Sequence, residues 1–163
     1  GRTTKFNRRV IVPSFDASGD LNYIVSRTID KDRYPKYLNS KSKKTKIIFN
    51  EMNIDWNSEL TLVEGVFDAV KSIENTIPIL GSSVPENSRL FRLLMKNQSS
   101  VVVSLDPDLK ENALKIAADL YSAGCNVRIC LNLEIYHTHK GRRATLPHAS
   151  AAIAETICDA QSS

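Results

Sequence analysis

A chain of 163 residues, 42% hydrophobic and 25% charged, has the composition of one globular domain, or of one small domain with an added lobe. It contains no apolar run near the ~20 residues a membrane-spanning helix needs and no recognisable signal peptide, so no membrane-spanning helix is expected within it. The net charge of +4 suits a polyanionic partner, and three cysteines (Cys125, Cys130, Cys158) without Cys-x-x-Cys spacing argue against a disulfide framework or a zinc site and for a reducing compartment.

In chain order, Gly1 in place of a methionine reads as the start of a fragment. Val10-Ile11-Val12-Pro13-Ser14-Phe15 and Leu21-Asn22-Tyr23-Ile24-Val25 read as two strands. The turn-forming run Asp16-Ala17-Ser18-Gly19-Asp20 joins them into a hairpin. A loop-like basic stretch follows, in which Tyr34 and Tyr37 alternate with Arg33 and Lys36 before Lys41, Lys43, Lys44 and Lys46. Aromatic faces mixed with cations suit nucleotides or single strands, and equally a solvated loop. Ile47-Ile48-Phe49 reads as a buried anchor, and residues 51–59, with Trp56, as a connector.

From Leu60 strands and helices alternate. Leu60-Thr61-Leu62-Val63 is a strand; residues 65–75 form a helix with Val66, Val70 and Ile73 inward; Ile77-Pro78-Ile79-Leu80 is a strand. Pro85-Glu86-Asn87 opens a second helix with Leu90, Phe91 and Leu94 inward, and Val101-Val102-Val103-Ser104-Leu105 is the next strand. Residues 109–123 form a third helix burying Ala113, Ala117, Leu120 and Tyr121, capped by Gly124, and residues 126–131 a last strand. This order predicts an α/β fold, a parallel sheet with helices on both faces, preceded by a small basic α+β lobe. Residues 132–163 break the pattern with His137, His139, His148, a basic group at Lys140, Arg142 and Arg143, and an alanine-rich, possible helical stretch over residues 147–160. His137-x-His139 lacks a third ligand nearby and is not read as a metal site, Ser82 and Ser83 lack a base, and Phe15, Phe49 and Trp56 are read as core.

The chemistry gathers at two strand ends. One apolar run closes in Glu64-Gly65-Val66-Phe67-Asp68, the other in Asp106-Pro107-Asp108. Parallel strands deliver their ends to one sheet edge, so Glu64, Asp68, Asp106 and Asp108 are expected to meet there. Asp106 and Asp108 are expected to alternate along an extended stretch and point the same way, with Pro107 stiffening the spacing. Crowded carboxylates need a cation among them, and Mg2+ or Mn2+ are the natural occupants.

This layout resembles the toprim domain shared by topoisomerases, bacterial-type primases and several nucleases, over roughly residues 59–131. The resemblance implies that Glu64 is the catalytic glutamate, that Asp106 and Asp108 are the metal-binding pair, and that Asp68 is the acidic residue that often follows. The upstream residues, Arg9-Val10-Ile11-Val12-Pro13, Gly19, Arg27 and Pro35-Lys36-Tyr37-Leu38-Asn39-Ser40, resemble the start of the catalytic core of bacterial-type (DnaG-like) primases. Val63 to Ala69 and Leu80-Gly81-Ser82-Ser83 look closest to the phage branch. The implied organisation is a basic lobe over residues 1–59, a toprim domain over residues 60–131 and an atypical tail over residues 132–163.

The function so implied is synthesis of short RNA primers on a single-stranded DNA template, by metal-dependent nucleotidyl transfer from nucleoside triphosphates. It would be cytoplasmic, in a bacterium or a phage-infected cell, with a replicative helicase in the full system. Glu64, Asp106 and Asp108 are then catalytic, with Asp68 completing the metal ligands. Arg27, Lys36, Tyr37 and Asn39 would bind the nucleotide, and Arg9, Lys41, Lys43, Lys44 and Lys46 the DNA. The chain departs from the family pattern in lacking a zinc-binding module, a helicase-binding region and a further acidic motif after Leu131. A toprim-type nuclease using the same carboxylates on water, and a non-catalytic remnant that binds nucleic acid or a helicase, are the alternatives.

Overall fold

The computed structural model describes residues 5–72 and 75–130. Ile73 and residues 131–163, with the three histidines and the alanine-rich stretch expected to be helical, lie outside the described residues.

The hairpin forms as read from sequence. Strand β1 (Arg9–Phe15) pairs antiparallel with β2 (Leu21–Thr28). Asp16 closes the turn, its carboxylate accepting the backbone N–H groups of Ser18 and Asp20 while Gly19 takes a φ of +85° that a side chain would resist. The segment read as a loop is more ordered than its composition suggests. Residues 36–40 run beside β2, with hydrogen bonds from Thr28 N–H to the Lys36 carbonyl (3.0 Å), from Leu38 N–H to the Ser26 carbonyl (2.9 Å) and from Ser40 N–H to the Ile24 carbonyl (2.9 Å). The Ser26 hydroxyl donates to the Leu38 carbonyl, and the Ser40 hydroxyl accepts the Ile24 N–H. These serines supply partners that the apolar pattern of a strand cannot announce.

The second sheet holds four parallel strands in the order β4-β3-β5-β6: β3 (Leu60–Val63), β4 (Thr76–Pro78), β5 (Ser100–Val103) and β6 (Asn126–Ile129). All four residues of β3 are buried, as expected for a central strand covered on both faces. Helix α1 (Val66–Lys71) links β3 to β4, α2 (Arg89–Asn97) links β4 to β5, and α3 (Lys110–Ser122) links β5 to β6. The first crossover runs one way along the sheet and the other two run the opposite way. Right-handed connections therefore put α1 on one face and α2 and α3 on the other. The expected toprim-like fold is borne out.

Packing follows that division. Leu90, Phe91 and Leu94 of α2 and Ala113, Ile116, Ala117 and Leu120 of α3 share one core with Leu60, Leu62, Val101 and Val103. On the α1 side, Val66 joins Tyr23, Val25 and Phe49 of the first lobe, with Phe67 and Leu80 against them, so the lobe and the sheet share a second core. Ile48 and Phe49 are the buried anchor expected between them. Glu51 is buried and paired with Arg89 of α2, which ties the connector to the main domain.

Three local expectations are corrected. Helix α1 is six residues long, and Val70 is 66% exposed because the second core takes only Val66 and Phe67 from that helix. Helix α2 begins after Ser88, whose hydroxyl accepts the Phe91 N–H as an N-cap, and not at Pro85. Tyr121 is 56% exposed, and Ile116 fills the inward position on α3. Gly124 does follow α3 with a φ of +90°, as its role as a cap requires.

Candidate active site

The strand register sets the site. Leu62 of β3 lies opposite Val103 of β5, so Glu64 leaves the sheet level with Leu105, and Asp106 one residue further. These are the two neighbouring strands whose crossovers depart in opposite directions, which makes the gap between their ends the topological switch point where open α/β sheets bind ligands.

A cavity of about 540 Å³ opens there. Glu64, Asp68 and Asp106 line it from the sheet, and Arg27, Lys36, Tyr37 and Asn39 line it from the first lobe. Residues 79 positions apart in sequence, from Arg27 to Asp106 (106 − 27), thus face one space. The lobe is held in place for this. Arg27 lies over two rings, 5.7 Å from the centre of Tyr37 and 5.4 Å from that of Phe67, whose own centres are 6.2 Å apart. Tyr37 comes from the lobe and Phe67 from α1, so the guanidinium bridges the two units by cation–π attraction. Lys36 lies 5.9 Å from the Tyr37 ring. Asn39 hydrogen-bonds the Tyr23 hydroxyl, and burial pushes the Tyr23 phenol above its ordinary pKa.

The carboxylates interact as predicted, with one exception in geometry. Burial, then the negative fields of Asp106, Asp108 and Asp68, raise the pKa of Glu64. The Asp68 carboxylate folds back over Gly65: a β-carbon there would stand 2.9 Å from it, and the flexible end of that side chain would have to shift. Asp108 does not line the cavity. Residues 107–109 form a 3-10 turn with Pro107 at its first position, not an extended stretch. Asp106 precedes this turn and Asp108 is its second residue, so the two do not alternate along one extended strand. The charge of Asp108 nonetheless acts on Glu64 more strongly than that of Asp68, which does line the cavity.

The basic residues assigned to DNA divide. Lys41, Lys43 and Lys46 are exposed and outside the cavity. Lys44 lines it and donates to the Leu80 carbonyl at 2.7 Å. Arg9 donates to the carbonyls of Pro35 (2.7 Å) and Lys36 (3.3 Å), so it braces the segment that carries Lys36. Sequence reasoning missed Phe67 and Lys71, both of which line the cavity. Their one available signal was spacing, since positions 67, 68 and 71 share a helix face.

The donor set suits a hard divalent cation. Three carboxylates face one space, and Glu64 is strained electrostatically by its neighbours. Among the described residues no three His, Cys, Asp or Glu side chains form a ready-made cage. That fits Mg2+ better than a caged ion, because Mg2+ is commonly held by one or two carboxylates and completed by water and substrate phosphates. No helix among the described residues is long and apolar enough to cross a membrane.

No protein-family model matches the chain. It is 32% identical over 136 residues to a DNA primase of Aquifex aeolicus (strain VF5), an alignment that spans 75% of this chain and 27% of that one. It is 30% identical over 94 residues to a DNA primase of Listeria innocua, spanning 50% and 15%. In fold it is similar to the zinc-binding and RNA polymerase domains of the Aquifex aeolicus primase, with a TM-score of 0.64 and 31% identity over 83% of this chain and 38% of that one. The E. coli primase catalytic core matches with a TM-score of 0.60 and 25% identity over 77% of this chain and 44% of that one. A DnaG primase catalytic domain bound to single-stranded DNA matches equally well, at 0.60 and 25%. The chain therefore spans less than a third of the length of the curated relatives it matches. These named relatives are bacterial and lend no support to the phage branch expected from the sequence.

Proposed function

From a chain that matches the catalytic core of bacterial-type (DnaG-like) DNA primases in sequence and fold, we propose that it carries out template-directed synthesis of RNA primers on single-stranded DNA. The observation that supports this most is the single cavity in which Glu64, Asp68 and Asp106 face Arg27 and Lys36. Carboxylates alone would suit hydrolysis as well. Carboxylates opposed by cations from a second lobe suit a reaction in which a triphosphate is held while its α-phosphorus is attacked.

Arg27 and Lys36 bind the triphosphate, as a planar fork and a point charge. Tyr37 and Phe67 hold the Arg27 guanidinium against the cavity wall, and Asn39 orients the nucleotide from the same segment. The 3′-hydroxyl oxygen forms a bond to the α-phosphorus, the bond to the bridging oxygen breaks, and pyrophosphate leaves. Glu64, which lines the cavity at the end of β3, either ligates a divalent ion or takes the hydroxyl proton. Asp106 and Asp108, with Glu64 and Asp68, would hold Mg2+ or Mn2+. When bound, the ion supplies charge neutralisation on the phosphates and a lower pKa for the attacking hydroxyl. Lys41, Lys43 and Lys46 track the template backbone, while Arg9 positions Lys36.

The test is an assay with single-stranded DNA, four nucleoside triphosphates and Mn2+. Labelled RNA oligomers are expected. Metal-dependent DNA cleavage without nucleotides would assign the nuclease reading, and DNA binding with neither activity the non-catalytic one.

A further inference from the structure

Two cations of the cavity, Lys44 and Lys71, have no part in the reaction as described. Lys71 ends α1, one turn beyond Asp68, and lines the cavity from the sheet side, whereas Arg27 and Lys36 reach it from the basic lobe. It is exposed. Among the described residues its ammonium has no hydrogen bond, ion pair or ring contact, while Lys44 is engaged by the Leu80 carbonyl and Lys36 and Arg27 lie on aromatic rings. Two ordinary roles compete for it. A solvated lysine would sit on the outer face of its helix, but Lys71 follows Asp68 and Phe67 by three and four residues and shares their cavity-facing side. A counter-charge for Asp68 would be paired with it. The Asp68 carboxylate instead folds back over Gly65, toward the start of the helix and away from Lys71.

We propose that Lys71 is a third cationic contact to the triphosphate of the incoming nucleotide, gripping it from the side opposite Arg27 and Lys36. This rests on the reading of the cavity as a nucleoside triphosphate site. Three carboxylates already line the space, and a triphosphate adds several further negative charges, so a free ammonium on a flexible stem meets its strongest available partner there.

The experiment is calorimetric titration of the full chain with ATP, ADP and AMP in Mg2+ and without DNA, for wild type, Lys71→Ala and Lys71→Arg. Lys71→Ala is expected to weaken ATP about tenfold and AMP less than about twofold, with Lys71→Arg close to wild type. The melting temperature should not move, because the side chain is exposed. Equal losses for ATP and AMP, unchanged ATP affinity, or no ATP binding by the wild-type chain would each overturn the proposal. A shallower salt dependence of single-stranded DNA binding with ATP unaffected would assign Lys71 to a nucleic-acid phosphate and overturn it as well. Primer synthesis is read separately. A chain that makes no primers but loses ATP selectively in Lys71→Ala leaves this contact standing while the primase reading falls.

Discussion

Glu64 shows what it costs to gather carboxylates at one sheet edge. Its folded-state pKa is raised, by burial first and then by Asp106, Asp108 and Asp68, so the native state holds the proton more tightly than the unfolded chain does. Its contribution to stability is therefore fully present below the unfolded carboxylate range and is lost as pH rises through the raised folded value. Glu64→Gln removes that loss. In the absence of divalent ions, the melting temperature of Glu64→Gln minus that of wild type should grow as pH rises above the ordinary glutamate range, and added Mn2+ should shrink the gap by relieving the repulsion in wild type. A difference that stays constant with pH would mean the cluster does not repel in the native state. Glu64 and Asp106 were legible because each follows an apolar run, and strand ends are where parallel sheets place ligands. The stretch over residues 106–108 was expected to be extended because Asp-Pro-Asp suits a strand end as well as a helical turn, and the helix that follows decided the matter.

At the scale of elements, the segment over residues 36–40 is the part least visible in the sequence. It shows no strand periodicity, yet it is bonded along β2 and braced by Arg9. Arg9→Ala should therefore raise the KM for nucleoside triphosphates about threefold to tenfold while costing about 1 kcal/mol of stability, with the salt dependence of DNA binding unchanged. A flatter salt dependence with an unchanged KM would return Arg9 to the template. The helices were readable wherever they pack on the sheet, as Leu90, Phe91 and Leu94 did. Val70 and Tyr121 fit the helical period equally well and are exposed, because periodicity identifies a face without saying how far the neighbouring element reaches along it.

For the whole molecule, the charge is divided by function. Arg27 and Lys36 face the carboxylates across the cavity, Lys71 lines it on the carboxylates' own side, and Lys41, Lys43 and Lys46 lie outside it on the exposed surface of the lobe. Replacing those three outer lysines by alanine should lower the slope of log affinity for single-stranded DNA against log salt by about 2. Nucleotide KM should stay within about twofold, since no cation of the cavity is touched. An unchanged slope would place the template elsewhere. The overall architecture was the most legible level of all, since alternating strands and helices admit few arrangements once crossovers are right-handed.

The central claim is that the space between the ends of β3 and β5 is the place where a nucleotide is joined to a primer. Primer synthesis by Asp106→Ala beside wild type, on single-stranded DNA with four nucleoside triphosphates and Mn2+, measures it most directly. Asp106 is exposed and outside both cores, so the variant should fold with an unchanged melting temperature. Its rate should fall by at least about a hundredfold, as expected when a ligand to a catalytic ion is removed. A folded Asp106→Ala chain that makes primers at the wild-type rate would contradict the account.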